Sequence, residues 1–226
     1  LSLGFLRELE KVLAAEIIFS GCHSKGDLSG FKEHFKVLQT LGPPEYGTGF
    51  LSYITKEAIN CDFLPSQAER LPFEQCIKLG FQEALYRGLD GFGGIASALV
   101  YAGEQIKRRA GNINIRFLLA HPRALFRVTG GLVKSKLARR ALLPKDLWTV
   151  RGIVCGGSDA TIFKKRVEEL WGRYPLEHYA SCEGGHFAVQ TWDYKGMTFV
   201  PNFNFFEFIP ERESFKCQLD HSYQPR

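Results

Sequence analysis

Two glycine-rich turns carry the residues of this sequence best suited to ligand chemistry. Residues 156–159 read Gly-Gly-Ser-Asp, and residues 181–185 read Ser-Cys-Glu-Gly-Gly. Glycine lets the backbone come close to a flat or phosphorylated ligand, and the carboxylate of Glu183 is an oxygen ligand of the kind that Mg²⁺ prefers. Together the two turns suggest a site for a nucleotide and its metal.

The segments around these turns predict how they are positioned. Residues 149–155 read as a strand, residues 160–172 as an amphipathic helix capped by Ser158 or Asp159, and residues 176–180 as a second strand. Such a β-α-β unit makes the two strands parallel, so both end at the same edge of the sheet. Ligands of open α/β sheets bind at that edge, and the helix N-terminus adds partial positive charge there. We therefore expect both turns to face one crevice.

The rest of the chain predicts an α/β fold with a mostly parallel sheet flanked by helices. Residues 89–95 are Gly-rich and apolar and receive no assignment, and Pro122 and residues 130–131 are expected to break a helical stretch at 113–143. The remaining predicted elements are a helix at 5–19, a strand at 35–41, a helix at 48–59, a strand at 61–64, a helix at 73–86 and a helix ending near 109.

An aromatic segment at residues 203–210 reads Phe-Asn-Phe-Phe-Glu-Phe-Ile-Pro, and its alternation is typical of a strand. Phe206 and Phe208 would share one face, with Glu207 on the other. A carboxylate among aromatic rings needs a partner, because its burial without one is costly. We interpret Glu207 as half of a structural ion pair, with a role in the site as the alternative.

Two of these segments resemble signatures of a known family. Residues 179–183, Tyr-Ala-Ser-Cys-Glu, resemble the Tyr-x-Ser-Ser-Glu signature of the auxin-responsive-promoter family of acyl acid-amido synthetases. Within that family the resemblance is greatest to bacterial-type members. The matching motif of the wider acyl-adenylate-forming superfamily is Tyr-Gly-x-Thr-Glu. Residues 205–210 resemble the same family's Tyr-Phe-Glu-Phe-Leu/Ile-Pro signature, and residues 42–49 more loosely resemble the superfamily's loop near the acyl pocket. The likeness spans most of the chain.

The resemblance implies an ATP- and Mg²⁺-dependent ligase of the acid-amido synthetase or acyl-CoA ligase type. A carboxylic acid would attack the α-phosphate of ATP, and an amine or thiol would then take the acyl group. Implied catalytic residues are Ser181, Cys182 and Glu183, with Glu183 as the Mg²⁺ ligand. Implied nucleotide-binding residues are Gly156, Gly157, Ser158, Asp159, Gly184 and Tyr179, the last near the adenine. Implied substrate-binding residues are Tyr46, Gly47, Gly49 and Gly185.

The sequence also departs from the family pattern. By the resemblance, the Ser/Thr-rich phosphate loop would precede Leu1, and the ribose-binding acid and the mobile C-terminal domain with its catalytic Lys would lie beyond Arg226. Cys182 replaces a hydroxyl residue and is a weaker donor, and Phe205 stands where the family has Tyr. We expect residues 1–226 to be a partial adenylation domain, an internal piece of the large N-terminal domain, with little or no catalysis by itself.

Composition sets further bounds. The 226 residues are 45% hydrophobic and 23% charged, as in ordinary globular proteins, and no apolar run approaches the roughly 18–20 residues of a membrane span. The six cysteines are scattered without zinc spacing, which favours buried thiols in a reducing compartment and a cytoplasmic location. Neither G-x-G-x-x-G nor a P-loop is present, which disfavours dehydrogenases and P-loop kinases.

Residues 107–151 form a basic segment that holds twelve of the 29 Lys and Arg residues and a single acid, Asp146. We interpret it as helices, at about 107–146, with a solvated basic face. Binding of nucleic acid or another polyanion is the alternative, although no nucleic-acid motif accompanies the segment. Two further alternatives are a thiol enzyme built on Cys182 and His186, and a non-catalytic relative kept for assembly.

Overall fold

The computed structural model describes residues 2–29, 34–39, 47–66, 71–108, 115–157, 160–181, 184–202 and 204–219. Within these residues, seven strands form one sheet in the order β2-β1-β3-β4-β5-β6-β7. The strands are β1 (Lys36–Gln39), β2 (Asp62–Leu64), β3 (Gly91–Ile95), β4 (Gly152–Gly156), β5 (Leu176–Ser181), β6 (Gly185–Val189) and β7 (Thr198–Phe199). The first five pair in parallel, and β6 and β7 are antiparallel to their neighbours. The predicted α/β class with a mostly parallel sheet is confirmed.

Helices cover both faces of the sheet. In chain order they are α1 (Leu3–Gly21), α2 (Gly47–Ile59), α3 (Phe73–Arg87), α4 (Ala96–Arg108), α5 (Ile115–Ala120), α6 (Pro122–Leu137), α7 (Pro144–Leu147), α8 (Ala160–Trp171) and α9 (Glu211–Leu219). The helix α1 packs on α2 and lies against β4, while α3, α4, α6, α7 and α8 pack together around the main core. No helix of the described residues is both long and apolar enough to cross a lipid bilayer.

The main core fills the face of the sheet opposite α1. Alternate strand residues such as Leu38, Ile153 and Cys155 point into it and are fully buried. Trp171 stacks there on Trp148, with ring centroids 6.0 Å apart. Both indole N–H groups are satisfied, because Trp148 Nε1 donates to the Ala84 carbonyl at 2.9 Å and Trp171 Nε1 donates to the Leu99 carbonyl at 3.1 Å. This side of the sheet is therefore a filled support.

The β4-α8-β5 unit has the predicted elements and the predicted parallel pairing. A buried ion pair fastens the first turn of α8 to β5: Lys164 pairs with Glu177, and Thr161 Oγ1 donates to Glu177 Oε1 at 3.0 Å. The Glu177 N–H also donates to Gln190 Oε1 at 2.9 Å, which links β5 to the end of β6. These contacts fix the N-terminal part of α8 beside the start of β5.

Local structure differs from what the sequence indicates in three places. Residues 91–95, left unassigned, form the strand β3, and Gly130 and Gly131 lie inside the continuous helix α6. The described part of the aromatic segment, residues 204–210, has no regular secondary structure. Glu207 is exposed there, so it is not a buried carboxylate in need of an ion pair. Phe206 instead packs on Phe199, with ring centroids 5.0 Å apart.

Candidate functional site

A cavity of about 660 Å³ lies between the sheet and the helices α1 and α2. Its size is that of pockets that bind small molecules. The wall away from the sheet is apolar and includes Phe5, Leu9, Leu13, Phe50 and Leu51. At one end the lining becomes polar and glycine-rich. The cavity therefore has an apolar body and a polar edge.

Glycines make the floor of the cavity. Gly91 and Gly93 of β3, with Gly152 and Gly156 of β4, alternate so that all four positions face α1. A Cβ at Gly152 would lie 2.2 Å from Ser20 Oγ and 3.2 Å from the α1 backbone, whereas a Cβ at Gly93 would meet no atom within 4 Å. The first glycine lets α1 approach the sheet closely, and the second leaves space open.

Both predicted glycine turns border this one cavity. Gly156 and Gly157 line it at the end of β4, and Ser181, Gly184 and Gly185 line it at the end of β5 and the start of β6. Gly157 and Gly185 have φ values of 109° and 72°, in the left-handed region that side chains disfavour. The Gly184 N–H donates to Ser181 Oγ at 3.1 Å, which closes the second turn.

Several predicted site residues lie outside the described residues. These are Tyr46, Ser158, Asp159, Cys182 and Glu183. The Mg²⁺-binding role of Glu183, the phosphate contact of Cys182 and the helix cap by Ser158 or Asp159 therefore stay predictions.

The remaining predicted site residues lie near the cavity without lining it. Tyr179 is 62% exposed and packs on Phe187, with ring centroids 5.3 Å apart. Gly47 begins α2 and Gly49 is buried in its first turn, while the next two residues of α2, Phe50 and Leu51, form part of the apolar wall.

A buried group of ionisable side chains, which we call the His-Glu cluster, lines the same cavity. It consists of Glu16 of α1, His178 of β5 and His186 of β6. His178 Nδ1 lies 3.2 Å from Glu16 Oε2, and His186 Nε2 lies 3.1 Å from Glu16 Oε1. The side chains of Glu16 and His186 are 3% and 1% exposed, and that of His178 is 22% exposed.

The imidazoles set the charge of Glu16. Burial acts to raise the pKa of the Glu16 carboxyl, but the charges of His178 and His186 more than offset this and lower the pKa to about 2. Burial likewise acts to lower the pKa of His178, and the Glu16 carboxylate overcomes it, so that the pKa is raised. Glu16 is therefore an anion buried beside two imidazoles.

Tertiary contacts hold Glu16 in this position. The buried residues of α1 are Leu9, Leu13, Glu16 and Ser20, whose spacing of three and four places them on one stripe facing the sheet. Arg173, just after α8, donates through Nη2 to the carbonyls of Ser20 at 2.7 Å and Cys22 at 2.8 Å. Cationic donors at the last carbonyls of a helix are favourable, so Arg173 anchors the end of α1 over the sheet.

The sequence pattern does not predict the His-Glu cluster. A signal existed, because Glu16 interrupts the apolar run from Val12 to Phe19, and a lone carboxylate on an apolar stripe requires a partner. The sequence suggests for His186 either a pairing with Cys182 or an ordinary place in a strand after the second turn. Its side chain is buried beside Glu16, on the strand β6, which runs antiparallel to β5.

The basic segment is partly occupied with internal contacts. Arg127 donates to the carbonyls of Ala84 and Leu85 at the end of α3. Arg140 makes two hydrogen bonds to Asp146, at 2.6 and 2.8 Å. These two cations stabilise the helical side of the fold, which weakens the polyanion-binding alternative.

Comparisons with known proteins give likeness of structure alone. No model of a protein family matches the sequence, and no curated protein does. An open conformation of 2-hydroxyisobutyryl-CoA ligase in complex with 2-HIB-AMP and CoA has a TM-score of 0.48 and 12% identity, over 85% of this chain and 34% of that chain. Apo MatB from Rhodopseudomonas palustris has a TM-score of 0.45 and 16% identity, over 89% and 29%.

A malonyl-CoA ligase ternary product complex with methylmalonyl-CoA and AMP bound has a TM-score of 0.44 and 14% identity, over 83% and 31%. The chain thus spans about a third of the length of each of these structures. Because all three TM-scores lie below 0.5, these likenesses carry no functional conclusion for this chain.

Proposed function

We propose that this chain forms the acyl- and nucleotide-binding part of an ATP-dependent ligase that activates a carboxylic acid as an acyl-adenylate. The observation that carries the proposal is the single cavity that both glycine turns border. Its two ends differ in the way that an acyl-adenylate requires: the acyl group is apolar in many acids, and the adenylate is polar and anionic. We assign the apolar body to the acyl group and the glycine edge to the nucleotide.

The reaction has two steps with balanced chemistry. In the first, a carboxylate oxygen forms a bond to the α-phosphorus of ATP, the bond from that phosphorus to the bridging oxygen breaks, and pyrophosphate leaves. In the second, an amine or thiol attacks the acyl carbon, loses its proton, and AMP leaves. The auxin-responsive-promoter resemblance favours an amine as acceptor, and the wider superfamily includes thiol acceptors. The acid and the acceptor are both part of the proposal.

The chain's own residues would bind and orient the reactants. The backbone at Gly156 and Gly157 allows a flat base or a phosphate to approach closely, and α8 begins just beyond this turn with its partial positive charge. Ser181 and Cys182 would face the α-phosphate, and Glu183 would hold Mg²⁺, which supplies charge neutralisation when bound. Cysteines such as Cys22, Cys61 and Cys76 are buried thiols, in keeping with a cytoplasmic enzyme.

The test is calorimetric titration of the full 226-residue chain with AMP and with acyl-sulfamoyl adenosines, which mimic acyl-adenylates and resist hydrolysis. We expect an analogue with an aryl or alkyl acyl group to bind at least about tenfold more tightly than AMP, because its acyl group leaves water for the apolar body. Equal affinities for AMP and for every analogue would contradict the assignment.

A matched pair of variants locates the binding. The ideal Cβ position is open at both Gly93, on the cavity floor, and Gly130, in α6 on the other side of the sheet. Gly93→Leu fills the cavity and should remove the advantage of the acyl analogue while leaving the affinity for AMP within about twofold. Gly130→Leu should change neither affinity. Unchanged binding of the acyl analogue by Gly93→Leu would show that its acyl group lies elsewhere.

A further inference from the structure

The His-Glu cluster has more polar capacity than its contacts use. Four buried atoms in it make no hydrogen bond with any described residue: Glu16 Oε1, His178 Nδ1, His186 Nδ1 and His186 Nε2. Glu16 pairs with both imidazoles by charge, at nitrogen–oxygen distances of 3.1 and 3.2 Å, and no other group among the described residues satisfies these four atoms. Buried polar groups without partners are unfavourable, so their concentration at one point indicates something that satisfies them together.

The spacing of the donors suits a metal ion. One ligand atom from each of the three side chains lies within 4.8 Å of the other two. Neighbouring ligands on a tetrahedral ion with bonds of roughly 2.0–2.1 Å are about 3.3 Å apart, close to the nitrogen–oxygen distances in the cluster. The two imidazole nitrogens that face Glu16, His178 Nδ1 and His186 Nε2, and one Glu16 carboxylate oxygen would become ligands on such an ion.

The donor types select the class of ion. Two imidazole nitrogens and one carboxylate oxygen suit zinc and its neighbours among the divalent transition metals, whereas Mg²⁺ and Ca²⁺ prefer oxygen ligands alone. We propose that Glu16, His178 and His186 bind a divalent transition-metal ion, best matched by Zn²⁺. This site is distinct from the Mg²⁺ site proposed at Glu183, and it does not depend on the ligase function.

The surroundings of the cluster fit a site that meets the cavity. All three residues line the cavity, so the side of the ion without protein ligands would face it. Three protein ligands with an open position are typical of zinc sites that also bind water or another small ligand. Gly156 leaves the room that the imidazole of His178 needs, since a Cβ there would lie 2.3 Å from His178 Nε2. The ring is thereby held with Nδ1 toward Glu16.

The experiment is a Zn²⁺ titration of the metal-free full chain in excess Mg²⁺, which keeps oxygen-only sites occupied. We expect one equivalent of Zn²⁺ to bind in competition with a chromophoric chelator. Glu16→Gln and His186→Gln should each weaken binding by at least about 100-fold, beyond the typical effect of altering a residue outside the ligand shell. His34→Gln removes an exposed histidine and should leave the affinity within about twofold.

Substitution of buried residues can also unfold a protein, so the wild-type chain provides a second measurement. X-ray absorption at the zinc edge should show two imidazole ligands and light oxygen donors, without sulfur. The proposal is overturned if the chain binds no Zn²⁺, if the His34 variant loses as much affinity as the cluster variants, or if the spectrum shows thiolates or lacks imidazole.

Discussion

Asn204 Nδ2 donates a hydrogen bond to the carbonyl oxygen of Gly184 at 2.9 Å, so the aromatic segment after β7 is fastened to the turn between β5 and β6. The residues that flank the two segments resembling family signatures therefore meet in space, and Asn204 lines the cavity beside Gly184 and Gly185. The side chain that makes this contact, Asn204, lies outside the residues of the signatures.

Removing this hydrogen bond should destabilise the fold. We expect Asn204→Ala to lower the free energy of unfolding by about 1 kcal/mol, because a half-buried carbonyl loses its partner. Asn202→Ala removes a comparable bond, to Glu8 at 2.8 Å, from an exposed position and should cost less than about 0.5 kcal/mol. Urea denaturation measures both. Equal losses would mean that the Asn204 bond fastens nothing.

The glycine floor predicts opposite responses to the same substitution. Gly152→Ala should destabilise by about 1–3 kcal/mol, because its Cβ would collide with Ser20 and force α1 away from β4. Gly93→Ala adds the same methyl group to the neighbouring strand, where the space is open, and should be neutral or slightly stabilising. Chemical denaturation of the two variants checks this, and a destabilised Gly93→Ala would contradict the open floor.

Asp146 should contribute to the loss of folding stability at low pH. Burial acts to raise the pKa of Asp146, but the hydrogen bonds from Arg140 and from the Leu143 N–H, with smaller effects of nearby Arg140 and Lys145 charge, lower it below its ordinary value. A lowered folded-state pKa contributes stability above the unfolded pKa of about 3.9, and this stability is lost as pH falls through the folded pKa.

We therefore expect Asp146→Asn to be less stable than wild type at neutral pH, by about 1–2 kcal/mol for a bidentate pair with one partly exposed partner. The difference between the two proteins should shrink as pH is lowered below the unfolded pKa of about 3.9. Urea melts at a series of pH values measure it. A difference that stays constant with pH would show that the Asp146 charge contributes no stability.

Arg127 should behave as a structural cation. Its guanidinium is turned into the fold, where it donates to the carbonyls of Ala84 and Leu85 at the end of α3. Burial lowers the pKa of Arg127, because it disfavours the charged form. The position of the cation at the C-terminus of α3 is favourable and offsets this cost of burial. We expect Arg127→Ala to cost about 1–2 kcal/mol, against less than about 0.5 kcal/mol for exposed Arg123→Ala one turn earlier, by thermal or urea unfolding.

The predictable parts of the fold had strong local signals. The β4-α8-β5 unit follows from an apolar strand, an amphipathic helix and a second strand. The sequence pattern leaves strand β3 unassigned because three of its five residues are glycine, which strands disfavour. At Gly91 the missing side chain permits a close approach, since a Cβ there would lie 2.5 Å from Phe35. The pattern likewise predicts a helix break at Gly131, whereas in the structure this glycine lets α6 pack closely on Leu142 and Leu147.

The candidate site was predictable only in part. Parallel pairing brings Gly156 and Gly184 to one edge of the sheet, and the chain pattern carries that information. The His-Glu cluster needs α1 to lie across β4 and needs β6 to return antiparallel to β5, and no local signal specifies either packing. The alternation of the aromatic segment predicts a strand, but its rings instead pack in a surface cluster around Phe199.

The most direct test of the central claim is photoaffinity labelling of the chain with an acyl-sulfamoyl adenosine that carries a diazirine in its acyl group. Mass spectrometry then locates the crosslinked residues. The account predicts crosslinks on the apolar wall formed by α1 and α2, at residues such as Leu9, Leu13, Phe50 and Leu51, and their loss in Gly93→Leu. Crosslinks confined to α5 and α6, or crosslinks at α1 and α2 that persist in Gly93→Leu, would contradict it.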